Sequence, residues 1–164
     1  LQALEMRVIA YDPYVSAETF EEAGVESVSL EDLAGRADYV SCHLPLNDQT
    51  RGMLDRHFFN HMKPTAYFVN TGRGGVVQES DLIAALQEER IAGAGLDVFE
   101  NEPIDPDHPF CHMENVVLTP HSASFSDETF EVQRRRVGRD ALTVCRGGLP
   151  QFVANPDVLD HRRT

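Results

Sequence analysis

Short continuous apolar runs alternate along the chain with helically spaced apolar sets, and this pattern predicts the elements. Met6-Arg-Val-Ile-Ala-Tyr11 reads as a strand stopped at Asp12-Pro13. Residues 16–23 form a short acidic helix closed by Gly24, a residue suited to the position just past a helix. Residues 25–28 are a short strand. Ser29-Leu-Glu-Asp32 resembles a capping box with Asp in place of Glu or Gln, and it opens another helix. Residues 37–44 make the next strand, cut off at Pro45, and residues 55–62 look helical. Residues 66–69 form a buried strand ending in Asn70-Thr71-Gly72. Leu82, Ile83 and Leu86 share one face of a stronger helix at 78–89. Ala94 to Val98 is a strand, residues 99–114 are a loop rich in Pro, Asp and His, and residues 116–118 are a last strand. A long helix at 126–146 carries Arg134, Arg135, Arg136 and Arg139 on its exposed side, and an irregular tail follows Gly147-Gly148. Residues 1–5 read as the tail of a helix. Strands alternating with helices predict a parallel sheet with helices on both faces.

Composition narrows the class. The chain has 164 residues, 41% hydrophobic and 25% charged, which suits one domain with a real core. Fourteen basic against 27 acidic residues give a net charge of −13, which disfavours nucleic acid and anionic membrane as partners. No apolar run approaches the ~20 residues of a membrane span. Cys42, Cys111 and Cys145 form no C-x-x-C pair, so a reducing, cytoplasmic setting is the simplest expectation. The first residue is Leu rather than Met, which suggests that something upstream is missing.

In an open α/β sheet, ligands bind beyond the carboxyl ends of the strands. The residues collected there are Asp12, His43, Pro45, Asn70 to Gly75, Asp97, His121 and Ser122, with Glu102 on the loop after Asp97. Arg73 stands among three glycines, where a guanidinium can meet a carboxylate with two parallel hydrogen bonds. The plainer reading is a turn with a solvated arginine. Asp12 can accept the hydroxyls of an adenosine ribose, or it can serve as an ordinary cap or turn aspartate. His121 is an acid/base or a polar loop residue, and Glu102 could pair with it and favour its charged form. His57 and His61 have a chelating spacing and His108 and His112 flank Cys111, but further ligands are not nearby in the sequence, so no metal is expected.

Five strings in order carry a resemblance. They are Tyr11-Asp12-Pro13, His43-Leu44-Pro45-Leu46, Asn70-Thr71-Gly72-Arg73-Gly74-Gly75, Leu96-Asp97-Val98-Phe99-Glu100-Asn101-Glu102-Pro103 and Asn115-Val116-Val117-Leu118-Thr119-Pro120-His121. Together they resemble the D-isomer-specific 2-hydroxyacid dehydrogenases, among them phosphoglycerate dehydrogenase and hydroxypyruvate or glyoxylate reductase. The resemblance spans about Met6 to Pro156. It implies an NAD-dependent oxidoreductase acting on the CH–OH group of a small 2-hydroxy or 2-keto acid, with Arg73, Glu102 and His121 as the catalytic set. Arg73 would hold the substrate's carboxylate and carbonyl, His121 would exchange the proton, and Glu102 would keep His121 protonated. Cofactor contacts would fall to Asp12, His43, Leu44, Pro45, Thr71, Gly72, Arg73, Asp97, His121, Ser122, Ala123 and Ser124. A homodimer is implied for the full-length form.

The chain departs from the family in one respect. The glycine-rich G-x-G-x-x-G loop and the strand before it, which the family places just ahead of the segment that opens here, are not in the sequence. The fold expected is therefore an incomplete Rossmann-like, doubly wound parallel sheet lacking its first strand. Residues 1–146 would be a partial NAD-binding domain, and 147–164 a tail returning toward the substrate domain. With strand order 3-2-1-4-5-6, the strands at 6–11 and 38–44 are expected to lose their bridge to the strand at 66–69. That gap would be closed by direct pairing, filled by another chain or left open. The 164 residues alone are expected to be nearly inactive. The alternatives are an NAD-sensing module like the C-terminal-binding-protein corepressors, or a truncated product without function.

Overall fold

The computed structural model describes residues 2–161, and the chain divides into two compact units after Ala123. The first unit holds strands β1 (Ile9–Ala10), β2 (Glu26–Ser27), β3 (Tyr39–Cys42), β4 (Tyr67–Asn70), β5 (Gly93–Leu96) and β6 (Val116–Leu118). Its helices are α1 (Ala17–Glu22), α2 (Leu30–Arg36), α3 (Arg56–His61) and α4 (Glu79–Gln87). The second unit is built on α5 (Asp127–Cys145). Apart from the helix tail expected at residues 1–5, each pattern-predicted strand and helix is present, with ends moved by a few residues.

Local chemistry sets those ends. Ser16, Ser29, Asp55 and Ser126 cap α1, α2, α3 and α5 with side-chain oxygens that accept first-turn N–H groups. At α2 the Ser29 hydroxyl accepts from the Asp32 N–H at 3.0 Å and donates to the Asp32 carboxylate at 2.9 Å. The shorter Asp thus closes the box on the hydroxyl rather than on the backbone. Gly24 follows α1 with φ of 64°, the left-handed value its position requires.

Four 3₁₀ turns were not expected. Gln2–Leu4 is one where a helix tail was predicted, and Gly74–Val76 is another. Pro109–His112 forms inside the predicted loop, and Pro156–His161 lies in the predicted irregular tail. The turn at 109 has Pro in its first turn and a cap from His108, whose ring accepts the Phe110 N–H at 3.3 Å.

The strands form two parallel sheets. β3-β4-β5-β6 lie in that order, with Tyr39 opposite Tyr67, Tyr67 opposite Gly93 and Ala94 opposite Val116. β1 and β2 make a separate pair, Ile9 opposite Glu26. This corrects the expected position of the break. The strand at 39–42 pairs directly with the one at 67–70, and no ladder among the described residues joins β1 to β3. In the order 3-2-1-4-5-6, β2 and β1 take the first two places and β3 the fourth, so the vacant place falls between β1 and β3. β1 pairs over two residues rather than the six expected, matching its two-residue partner β2.

Strand periodicity sends alternate residues to opposite faces. Val40, Cys42, Phe68, Ala94 and Leu96 join Ala34 of α2, Phe58 and Phe59 of α3, and Leu82, Ala85 and Leu86 of α4 in one core. Phe68 is fully buried and meets Phe59 edge-to-face at 5.4 Å and Phe58 at 6.5 Å. The opposite face carries exposed Tyr39 and Tyr67, stacked at 5.8 Å, and exposed Val117. In the detached pair, Glu26 binds Arg7 at 2.6 Å and Arg36 at 2.8 Å. Arg36 first and then Arg7 hold the Glu26 carboxyl down at about 2.

Phe68→Ala empties the centre of this core. It should cost about 3–5 kcal/mol, read as a fall in the urea midpoint at unchanged slope. A loss under about 1 kcal/mol would mean that the three-phenylalanine cluster does not carry the sheet's packing.

Candidate active site

β5 ends at Leu96, and the next residue is a buried carboxylate. Asp97 is 3% exposed. Its oxygens accept the Thr119 hydroxyl, the Ser122 N–H at 2.7 Å and the Ala123 N–H at 2.9 Å. Its own carbonyl accepts the His121 N–H at 2.9 Å. Burial alone would raise the Asp97 pKa, but these donors and the nearby imidazole hold it below the ordinary carboxylate value. One carboxylate thus ties down the turn after β6. His121 sits in that turn with φ of 50°, a left-handed conformation uncommon outside glycine.

His121 meets Glu102, Nδ1 to Oε2, at 2.7 Å. An ionised carboxylate only accepts, so Nδ1 carries the shared proton and Nε2 is the atom left to exchange one. The other Glu102 oxygen accepts the Phe99 N–H at 3.0 Å. Burial raises the Glu102 pKa. The bond to His121, the Phe99 N–H and the imidazole charge outweigh burial and the opposing Asp97, so the carboxyl titrates below its usual range. The pair lines a cavity of about 510 Å³ whose other walls are Phe99, Pro103, Ile104, Leu118, Thr119 and Pro120.

Arg73 arrives from the neighbouring strand end. Asn70, 1% exposed, folds the turn below it by donating to the Arg73 carbonyl at 3.1 Å and accepting from the Gly72 N–H at 3.0 Å. The Arg73 side chain is exposed and its Nη1 bonds the Gly72 carbonyl at 2.7 Å. Gly74 brings this turn against the loop of Glu102, since a Cβ there would lie 1.9 Å from the Phe99 carbonyl carbon. The Arg73, Glu102 and His121 segments leave the carboxyl ends of three adjacent strands, β4, β5 and β6.

A Cβ on Gly72 would sit 3.1 Å from the Leu44 carbonyl oxygen, so the Thr71-Gly72 and His43-Leu44 turns touch. His43 Nε2 meets the Ser41 hydroxyl at 2.8 Å, and the Pro45 carbonyl accepts the buried Thr50 hydroxyl at 2.6 Å. Asp12 follows β1 and accepts the Tyr14 N–H at 2.9 Å, which is a turn role. Ser122 and Ala123 are held by Asp97. Ser124 is exposed and belongs to the second unit.

The profile described as "D-isomer specific 2-hydroxyacid dehydrogenase, NAD binding domain" matches residues 1–123, the whole first unit. The chain belongs to the D-isomer-specific 2-hydroxyacid dehydrogenases. A glyoxylate reductase of Korarchaeum cryptofilum is 46% identical over 96% of this chain and 47% of its own length. A D-3-phosphoglycerate dehydrogenase of Archaeoglobus fulgidus is 38% identical over 89% of this chain and 28% of its own. The NAD-complexed D-isomer specific 2-hydroxyacid dehydrogenase of Lactobacillus delbrueckii ssp. bulgaricus superposes with a TM-score of 0.84 at 33% identity. It covers 94% of this chain and 50% of that one. The chain spans about half the length, or less, of the relatives it matches.

Two features of this dehydrogenase domain escaped the sequence reading. Thr119 was quoted only as part of a motif, yet its hydroxyl bonds Asp97. The apolar walls Phe99, Ile104 and Leu118 gave no separate signal, because a lone hydrophobic residue in a loop reads the same whether or not it borders a cavity. His108 is engaged by Glu79, Nε2 to Oε2 at 3.4 Å, and by the cap on Phe110, so its ring serves the loop.

The Asp97 arrangement has a pH signature. Its folded pKa is depressed, so its contribution is complete above the unfolded value of ~3.9 and is lost as pH falls through the lower folded value. Asp97→Asn should cost about 2–3 kcal/mol at pH 7 in urea denaturation, and the gap to the parent should narrow below about pH 4. An equal gap at pH 7 and pH 3 would mean that the ionised form is not what holds the turn.

Proposed function

We propose that these residues are the NAD-binding half of an enzyme that moves hydride reversibly between NAD(H) and a small 2-hydroxy or 2-keto acid. The observation that carries the reading is the Glu102–His121 pair on the wall of a cavity, with the Arg73 turn packed through Gly74 against the same loop. Arg73 binds the substrate carboxylate and polarises its carbonyl with a charge-assisted fork. His121 gives a proton from Nε2 to the keto oxygen, and takes it back in the oxidative direction. Glu102 orients the ring through Nδ1 and stabilises the imidazolium that gives up the proton in the reductive direction. The bound nicotinamide supplies the hydride.

The residues fit this cofactor in part. The His43-Leu44-Pro45 and Thr71-Gly72 turns lie side by side, and Asp12 stands beyond β1, where a carboxylate suits the ribose hydroxyls and repels a 2′-phosphate. Arg73, Asp97, His121, Ser122, Ala123 and Ser124 complete the proposed contacts. A glycine-rich pyrophosphate loop is not among these 164 residues. The chain on its own is therefore proposed to bind NADH weakly and to turn over little. Its three cysteines, none disulfide-bonded, fit a cytoplasmic setting, and a homodimer is the proposed assembly. Among the described residues no helix is long and apolar enough to cross a membrane.

NADH oxidation with glyoxylate and with hydroxypyruvate is the test, in the protein that carries these residues. His121→Asn should lower kcat about 100-fold or more with NADH binding retained. Arg73→Gln should act on kcat/KM for the ketoacid. Full turnover in His121→Asn would remove the assignment. Brisk turnover by the 164 residues alone would overturn only their proposed incompleteness.

A further inference from the structure

α3 presents its two faces differently. Phe58, Phe59 and Met62 are buried in the core and fix the helix, which leaves His57 and His61, four apart, together on the exposed side. α2 packs alongside. Its Gly35 approaches the last turn of α3, where an added Cβ would lie 3.8 Å from the His61 carbonyl oxygen. This contact places Glu31, in the first turn of α2, beside the two rings. One ligand atom from each of Glu31, His57 and His61 lies within 4.8 Å of the other two.

The hydrogen bonds make this more than a surface cluster. His61 Nδ1 is 2.7 Å from the His57 carbonyl, which can only accept, so Nδ1 carries hydrogen. Ligating histidines are held this way, with the far ring nitrogen donating to a carbonyl and the near one free to bind. The near atom, His61 Nε2, lies 3.1 Å from the Glu31 carboxylate. In the neutral ring both atoms are acceptors, and a cation between them is what satisfies both. The His57 ring stands 4.2 Å from that of His61, centroid to centroid.

We propose that Glu31, His57 and His61 bind a divalent cation of the zinc class, clasping α2 to α3 outside the dehydrogenase site. Two imidazole nitrogens are borderline donors and set the preference for zinc over magnesium or calcium, the carboxylate oxygen is a ligand zinc also takes, and water completes the shell. Bonds of about 2.0–2.2 Å put tetrahedral ligands about 3.4 Å apart. All three side chains are exposed, so rotation about their own bonds closes the remaining distance without moving either helix. The metal would act on structure, tying the element before β3 to the element before β4.

Isothermal titration of zinc chloride into the 164-residue chain tests this, with a non-chelating phosphine as reductant. One saturable site is expected. His61→Ala and His57→Ala should each weaken it by more than the roughly 10- to 100-fold that loss of an outer-shell partner costs. Glu31→Gln, an exposed change that preserves shape, should weaken it too, and circular dichroism confirms that each variant is folded. Zinc should raise the Tm of the parent and not that of His61→Ala. His112→Ala and Cys111→Ser, on the other histidine loop, should leave affinity unchanged. Absence of saturable binding would mean that Glu31 and His61 share only a proton. Binding lost in His112→Ala or Cys111→Ser, and kept in the α3 variants, would place the metal elsewhere. Either result overturns the proposal.

Discussion

Asp97 is a carboxylate withdrawn from water and kept charged chiefly by hydrogen-bond donors, with the nearby His121 imidazole adding to them. A buried charge is costly unless every oxygen finds a partner. Here the partners are a threonine hydroxyl and two backbone N–H groups from a single turn, so satisfying the charge also shapes residues 119–123. The left-handed backbone at His121 is held within that shape. Its ring is then within reach of Glu102, which is fixed by a second tie to the Phe99 N–H. The Glu102–His121 pair thus rests on a residue that is itself 3% exposed and does not line the cavity.

Close approach is the second constraint. The Arg73 turn and the loop of Glu102 belong to different strand ends, and a rigid sheet sets the spacing between them. They meet because Gly74 has no side chain to hold the backbones apart. Asn70 uses both ends of its amide to form the turn at the strand terminus and keeps the arginine outermost. Three adjacent parallel strands therefore bring the segments of Arg73, Glu102 and His121 to their carboxyl ends.

Much of this was legible in the chain. Pro13, Pro45 and Asn70-Thr-Gly mark strand ends by chemistry that acts within a few residues, and Ser16, Ser29, Asp55 and Ser126 mark helix starts in the same way. The order of the motifs points to the family, and the strand-end rule alone groups Arg73, Asp97, Glu102 and His121. Less legible were interactions that join distant segments. Thr119 gave no hint of its bond to Asp97, 22 residues earlier. Arg134 and Arg136 read as a solvated stripe, yet they stand over Phe130 and Phe152 at 5.7 and 4.4 Å from the ring centres. The place of the break in the sheet was also misjudged, because strand neighbours are set by pairing rather than by position in the chain.

Hydrophobic period, turn residues and caps are local properties, so the sequence sufficed for where most strands and helices form and for the parallel α/β class. Register, the partition into two sheets, the ionised burial of Asp97 and the meeting of His121 with Glu102 are another matter. Each depends on groups brought together from 17 or more residues apart. Those distances are closed only when the whole core packs, and for that reason the tertiary structure alone decided them.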